Sequence, residues 1–185
     1  MTGRGLSIVV CAAGPAGDVA TLVRLAQDDG WTADVISTPS ALSFLDVPTL
    51  EELTGSAVRS EYRAARTGSR TLPAVEAVIV APATYNTINK LAAGISDNYA
   101  LGSLAEAIGR SIRVVVVPFV NAALAARRPY KQAIESLRDE GVIVMTGPDY
   151  GWEPHAPGTG DQQATRFPWA RALVEAGRSS QNPGS

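Results

Sequence analysis

Four valines in a row, Val114-Val115-Val116-Val117, constrain the fold of this chain more than any other feature. A run with no polar residue at alternate positions suits a strand covered on both faces, the environment of a parallel sheet. Comparable runs recur along the chain. Leu6-Ser7-Ile8-Val9-Val10-Cys11 predicts a first strand, and Ala33-Asp34-Val35-Ile36 a second that ends at Ser37-Thr38. Val78-Ile79-Val80-Ala81 predicts a third strand running into Pro82, and Val142-Ile143-Val144 a short fifth. Between them the apolar spacing becomes helical. Val19, Leu22, Val23 and Ala26 share one helix face, with Gly30 placed to end it. Helices are also expected over 87–93 and 100–108, with Gly94 and Gly109 as stops and Asp97 as a cap. Tyr130, Ala133, Ile134 and Leu137 mark another that Gly141 ends, and a last helix is expected over 168–176.

Strands alternating with helices imply right-handed crossovers and a three-layer, doubly wound parallel α/β sheet. One domain is expected over 1–178. Within it, residues 147–167 are rich in Gly, Pro and polar groups and read as a loop or flap. The Ser, Gln, Asn, Pro and Gly tail at 179–185 reads as disordered.

Formal net charge is −2, so no field draws the chain to nucleic acid or an anionic membrane. Any phosphate must be held locally, by backbone N–H groups and hydroxyls. One histidine and one cysteine exclude an internal disulfide and leave a zinc site to carboxylates, so no metal is expected. No apolar run approaches membrane-spanning length and no secretory signal stands at the start, which makes a soluble cytoplasmic protein the expectation.

Ligands of such sheets collect at the carboxyl ends of the strands. Three segments arrive there with suitable chemistry. Ala12-Ala13-Gly14-Pro15-Ala16-Gly17 lets backbone approach a ligand and precedes a helix whose N-terminus offers N–H donors. Ser37-Thr38-Pro39-Ser40 supplies hydroxyls, and Ala81-Pro82-Ala83-Thr84-Tyr85-Asn86-Thr87 adds hydroxyls, an amide and a second helix start. GxGxxG after the first strand, GxxxxGK[ST] and GxSxG are all missing, which argues against a dinucleotide fingerprint, a P-loop and a nucleophile elbow.

The stretch from Ala81-Pro82-Ala83-Thr84-Tyr85-Asn86-Thr87 through Lys90 to Ser96-Asp97-Asn98 resembles the signature of the FMN-dependent cysteine decarboxylases. That family includes the phosphopantothenoylcysteine and lantibiotic-type peptidyl-cysteine decarboxylases. Its motif has the form A-P-x-S/T-x-N-T-x-x-K, then a small-residue turn and A-D-N. Gly14-Pro15 stands where the family has its first FMN-contacting turn, and Ser37-Thr38 through Phe44 resembles the second. Pro118-Phe119-Val120-Asn121 resembles the start of the substrate motif, and Gly147 through Gly160 the flap, so the likeness covers nearly the whole chain.

The resemblance implies a flavodoxin-like, Rossmann-like subunit assembled as trimers or multiples of trimers, with FMN between subunits. It implies oxidation of a cysteine thiol, then loss of carbon dioxide. Gly14, Pro15, Ser37, Thr38, Ala81, Thr84 and Asn86 become FMN contacts by carry-over. Asp97 and Asn98 would shape the turn near the flavin, Asn121 would hold the substrate carboxylate, and Lys90 reads as a surface or interface charge.

Two departures matter. The family's catalytic histidine should precede the third strand by about a dozen residues, but Thr67-Gly68-Ser69-Arg70-Thr71-Leu72 contains none. The substrate motif carries Val120, Leu124 and Ala125 where Met, Met and Trp are expected, and Arg128-Pro129 where His-Pro is. His155 falls in the flap where the phosphopantothenoylcysteine enzymes place an acid cysteine, and is read as a general acid or base. The expectation is therefore an enzyme, an FMN-dependent oxidative decarboxylase of a C-terminal peptidyl cysteine or related small thiol. The alternative is an FMN-binding protein with a regulatory or partner role, or a different flavin-dependent reaction. A flavin prenyltransferase ranks last, because its signature near the third strand differs.

Overall fold

The computed structural model describes residues 4–62 and 74–178. Its strands are β1 (Arg4–Val10), β2 (Trp31–Ser37), β3 (Val75–Ala83), β4 (Arg113–Pro118) and β5 (Ile143–Val144). They form one sheet in the order β2-β1-β3-β4-β5, with every pairing parallel. The connecting helices are α1 (Ala20–Asp28), α2 (Val47–Thr54), α3 (Tyr85–Ala92), α4 (Tyr99–Gly109), α5 (Ala122–Ala125), α6 (Arg128–Asp139), α7 (Gly160–Ala164) and α8 (Trp169–Gly177). This is the flavodoxin-like arrangement. Its order reverses between β1 and β3, where neighbouring crossovers leave on opposite faces.

The two faces explain the unbroken apolar runs. Leu6, Ile8, Ala77, Ile79, Val115 and Val117 point into one core beneath α1, α2 and α8. Val9, Val78, Val80, Val114 and Val116 point into the other, beneath α3, α4 and α6. Side chains of a strand alternate between faces, and here both faces are dry, so no polar residue is needed at either parity. Burial of each such Val or Ile contributes about 1.5–3 kcal/mol. The outer edge of β2 is partly occupied as well. Arg59 N donates to Val35 O at 3.1 Å and Ser37 N to Arg59 O at 2.7 Å, while the Arg59 guanidinium pairs with the buried Asp34 carboxylate.

Several local expectations need correction. The sequence reading has no helix at α2, yet Asp46 caps its start by accepting from Thr49 N at 3.2 Å, and Gly55, with φ of 64°, ends it. Its apolar face is too short to stand out as a period. Asn98 rather than Asp97 caps α4, accepting from Leu101 N at 3.0 Å. Gly109 lies inside α4 instead of stopping it, and Ser111 takes the left-handed conformation beyond its end. The turn after β1 runs as a 3-10 segment, Gly14–Asp18, so α1 begins later than expected and its N-terminus does not follow the Gly14-Pro15 turn directly.

The segment at 147–167, expected as a loop or flap, is anchored to the sheet at two of its aromatics. Trp152 Nε1 donates to Pro118 O at 2.7 Å, and Trp152, Phe167 and Trp169 pack into the core beneath α8. Trp152 and Trp169 are both buried. The expected tail at 179–185 and the stretch from Thr67 to Leu72 lie outside the described residues.

Tyr130 is the exception to the satisfied interior. It is 4% exposed, stacks on Tyr85 at 5.9 Å, and its hydroxyl has no hydrogen-bond partner among the described residues. Burial pushes its pKa from 10.0 to about 12, with the positive charge of Arg138 opposing. Below pH 10 both folded and unfolded chains keep the phenol neutral. Above it only the unfolded chain ionises, so stability falls as pH rises from 10 towards 12. Tyr130→Phe is expected to be at least as stable as the parent at pH 8, since it removes an unpaired buried hydroxyl. It should also abolish an alkaline loss on the order of 2 kcal/mol, read from urea midpoints across that range.

Candidate functional site

The hydrogen-bond ladder of the sheet continues past the strand ends and ties the turns together. Thr38 N donates to Val10 O at 2.9 Å, Cys11 N to Pro82 O at 3.1 Å, and Phe119 N to Ala83 O at 2.8 Å. The turns after β1, β2, β3 and β4 are thereby held side by side. Thr84 then starts α3, its hydroxyl accepting from Thr87 N at 3.3 Å.

A cleft of about 390 Å³ opens over the first three of these turns. Ala12 forms its floor beyond β1, and Thr38, Pro39 and Ser40 its wall beyond β2. Thr84, Asn86 and Thr87 line it from the start of α3, and Asn98 from the start of α4. Hydroxyls and amides with both donor and acceptor capacity dominate the lining. Lys90 and Asp97 complete it as an ion pair. Lys90, read from the sequence as a surface or interface charge, keeps 29% side-chain exposure and lines this cleft as well. The signal was present in the spacing, because Asn86 and Lys90 are four residues apart on one helix face.

The other expected contacts are placed differently. Ser37 is fully buried and its hydroxyl donates to Thr38 O at 2.8 Å, so it fixes the turn and does not line the cleft. Pro15 and Ala81 are buried too. Gly14 is exposed on the far side of the β1 turn, where an added Cβ would meet the Phe119 ring at 3.3 Å. Of the seven cofactor candidates, the structure brings Thr38, Thr84 and Asn86 together in the cleft.

A second cluster forms beyond β4. Backbone of the flap runs beside Asn121, with Ala122 N donating to His155 O at 2.8 Å and His155 N to Val120 O at 3.3 Å. The His155 ring lies 4.9 Å from that of Phe119, whose edge faces Gly14. His155 Nδ1 is 3.0 Å from Ala156 O. A carbonyl only accepts, so this bond puts the proton on Nδ1 and leaves Nε2 with the lone pair in the neutral ring. Asn121 uses its carbonyl oxygen to cap α5, accepting from Leu124 N at 3.0 Å. Among the described residues its amide N–H groups meet no acceptor and remain to donate. Phe119 was placed by the sequence only within the substrate-motif resemblance; its packing between Gly14 and His155 was not legible, because nothing in its neighbourhood marks an aromatic as a spacer between two loops.

A family model described as Flavoprotein matches residues 3–175. The chain belongs to the Flavoprotein family. Solved structures with the same fold include the FMN-dependent cysteine decarboxylase SpaF, at 20% identity and a TM-score of 0.69, covering 96% of this chain and 99% of that one. The FMN-dependent cysteine decarboxylase TvaF from thioviridamide biosynthesis is 24% identical with a TM-score of 0.69, over 95% of this chain and 99% of its own. The epidermin biosynthesis protein EpiD from Staphylococcus aureus is 19% identical with a TM-score of 0.62, over 76% of this chain and 81% of its own. No curated protein matches the sequence. Among the described residues no helix is long and apolar enough to cross a membrane.

Directly under the cleft, Cys11 is fully buried and its thiol donates to Thr87 Oγ1 at 3.3 Å. Burial pushes the Cys11 thiol pKa up, and the hydrogen bonds to Thr87 and Thr84 only partly offset this. The thiolate is the reactive form, so Cys11 belongs to the floor and not to the chemistry. It should resist a disulfide reagent such as dithionitrobenzoate at pH 8 in the folded protein and react within minutes once urea unfolds it. Rapid labelling of the native chain would contradict this placement.

Proposed function

We propose that this chain binds FMN and oxidatively decarboxylates a cysteine-type substrate, a C-terminal peptidyl cysteine or a related small thiol. The carrying observation is a cleft of hydroxyls and amides at the β1/β3 switch point in a member of the Flavoprotein family. The donor set fits FMN. Thr38, Ser40 and Thr84 offer hydroxyls for phosphate and ribityl oxygens, and Asn86 and Asn98 offer amides, two of these five residues doubling as helix caps. Gly14, Pro15, Ser37 and Ala81 would act through the shape of the turns that carry these groups. The fold shared with the FMN-dependent cysteine decarboxylases SpaF and TvaF supports the reaction class.

Bound FMN would supply the oxidant, accepting a Cβ hydrogen with its two electrons as a hydride, so that loss of the thiol proton leaves a thioaldehyde. The residues beyond β4 would do the rest. Asn121 would donate its free amide N–H groups to the substrate carboxylate and orient it. His155 Nε2 would take the thiol proton as carbon–sulfur oxidation proceeds. Loss of carbon dioxide leaves the bonding pair delocalised onto sulfur as an enethiolate, and His155 would return the proton to it. This role answers the lack of a histidine between Thr67 and Leu72.

A homotrimer belongs to the same proposal. A groove of about 540 Å³ between α3 and α6, lined in part by Tyr85, Ile95, Pro129 and Ala133, joins the cleft through Asn86 and Lys90 and suits a neighbouring subunit. A cytoplasmic location completes it, since a single cysteine suits a reducing compartment.

The purified protein is expected to be yellow, to release FMN on denaturation, and to sediment as a trimer or a multiple of one. Cysteine-ending peptides and phosphopantothenoylcysteine should be screened by mass spectrometry, with loss of 44 Da for carbon dioxide and 2 Da for two hydrogens (about 46 Da together) expected for at least one. Bound flavin with no such product from any of them would favour the non-catalytic reading. His155→Ala should keep FMN and lower turnover by about 10²–10⁴-fold, the range for a positioned acid or base. Unchanged turnover would remove His155 from the mechanism.

A further inference from the structure

The cleft beyond β1, β2 and β3 contains one pair of opposite charges. Lys90 and Asp97 both line it, and the ammonium is ion-paired with the carboxylate. Only Ala12 and Pro39 in the lining are apolar and none of the lining side chains is aromatic. That surface suits the polar end of FMN, its phosphate and ribityl chain, better than the flat ring system.

We infer that Lys90 is the cation that selects the phosphate of FMN, and that Asp97 holds it in place until the phosphate arrives. The inference rests on the FMN reading above. A phosphate dianion entering the cleft meets a site that Asp97 has made electrically neutral. Exchange of the carboxylate for phosphate on Lys90 turns a partly exposed ion pair into a charge-assisted contact with a dianion, a stronger interaction. The exchange is sterically open, because the Lys90 and Asp97 side chains keep 29% and 48% exposure.

Asp97 also has somewhere to go. It immediately precedes Asn98, the cap of α4, whose Nδ2 lies 3.4 Å from Asp97 Oδ1. A carboxylate beside the N-terminus of an 11-residue helix is stabilised by the helix dipole, so Asp97 stays favourably placed after Lys90 leaves. Lys90 approaches from the same helix face as Asn86 and so shares the wall with a candidate cofactor contact. A chain of net charge −2 has no general field to attract a dianion, which makes one aimed ammonium matter more.

The test compares FMN with riboflavin, which differ by the phosphate alone. Flavin-stripped full-length protein is titrated with each by fluorescence quenching, for the parent, Lys90→Gln, Lys90→Arg and Asp97→Asn, after circular dichroism shows that each is folded. Lys90→Gln should weaken FMN about tenfold or more while leaving riboflavin within about twofold, the tenfold corresponding to about 1.4 kcal/mol. Lys90→Arg should restore most of the preference for FMN. Asp97→Asn should tighten FMN several-fold, since it removes a competing carboxylate, and leave riboflavin unchanged. Equal losses for both flavins in Lys90→Gln, or no loss for either, would overturn the inference. So would weaker FMN binding by Asp97→Asn, which would make the pair a structural clasp. If the parent protein binds neither flavin, the FMN reading itself fails and takes this inference with it; if the parent binds FMN but the variants do not separate, only this inference falls.

Discussion

Burial of both faces of the parallel sheet leaves its backbone open to a ligand only along its rim, and the polar cleft lies on the part of that rim where the strands stop. Every strand then has to hand its chain to a crossover at that edge, and the first residues past the strand find their hydrogen bonds in neighbouring turns. Val10 O, Pro82 O and Ala83 O each receive an N–H from the adjacent turn. The same bonds that satisfy the ends of the sheet therefore fix the relative positions of Thr38, Cys11, Thr84 and Phe119. The cleft is a by-product of that constraint before it is a binding site.

Polarity in this edge is arranged locally. Thr84 and Asn98 each use side-chain oxygen to cap a helix while lining the cleft, so their positions are set by backbone geometry rather than by loose rotamers. Asn121 follows the same logic beyond β4, where capping α5 leaves only its amide donors for other work. His155 brings an imidazole to the same cluster. Its Nδ1 is committed to Ala156 O, and the bridge between Asn121 and His155 fixes its backbone. The flap that brings it is fastened by Trp152 and Phe167 in the core, which explains why those aromatics serve packing and not the ligand.

Much of this was legible in the sequence because it depends on local pattern. Unbroken apolar runs named the strands, the alternation with helices named the sheet, and the Ala81–Asn98 stretch named the family. What escaped has a common cause. Ser37 and Thr38 are neighbours with the same chemistry, yet one is fully buried and the other borders the cleft. Strand residues alternate faces, and where the strand ends relative to its partners decides which hydroxyl emerges. The pairing of Lys90 with Asp97 was not legible because Asp97 follows a helix end and a turn that no periodicity describes.

The sequence by itself determined the doubly wound sheet, the placement of polar turns at strand ends and the family. Hydrophobic spacing and turn chemistry are short-range codes, and each segment carries its own. Tertiary structure alone decided which of those turn residues share a cavity, that Lys90 and Asp97 pair within its lining, and that Phe119 and His155 meet above Gly14. The cavity and the Phe119–His155 contact join segments far apart in the chain, set by strand register and crossover direction, and the Lys90–Asp97 pair depends on how the turn between α3 and α4 folds back.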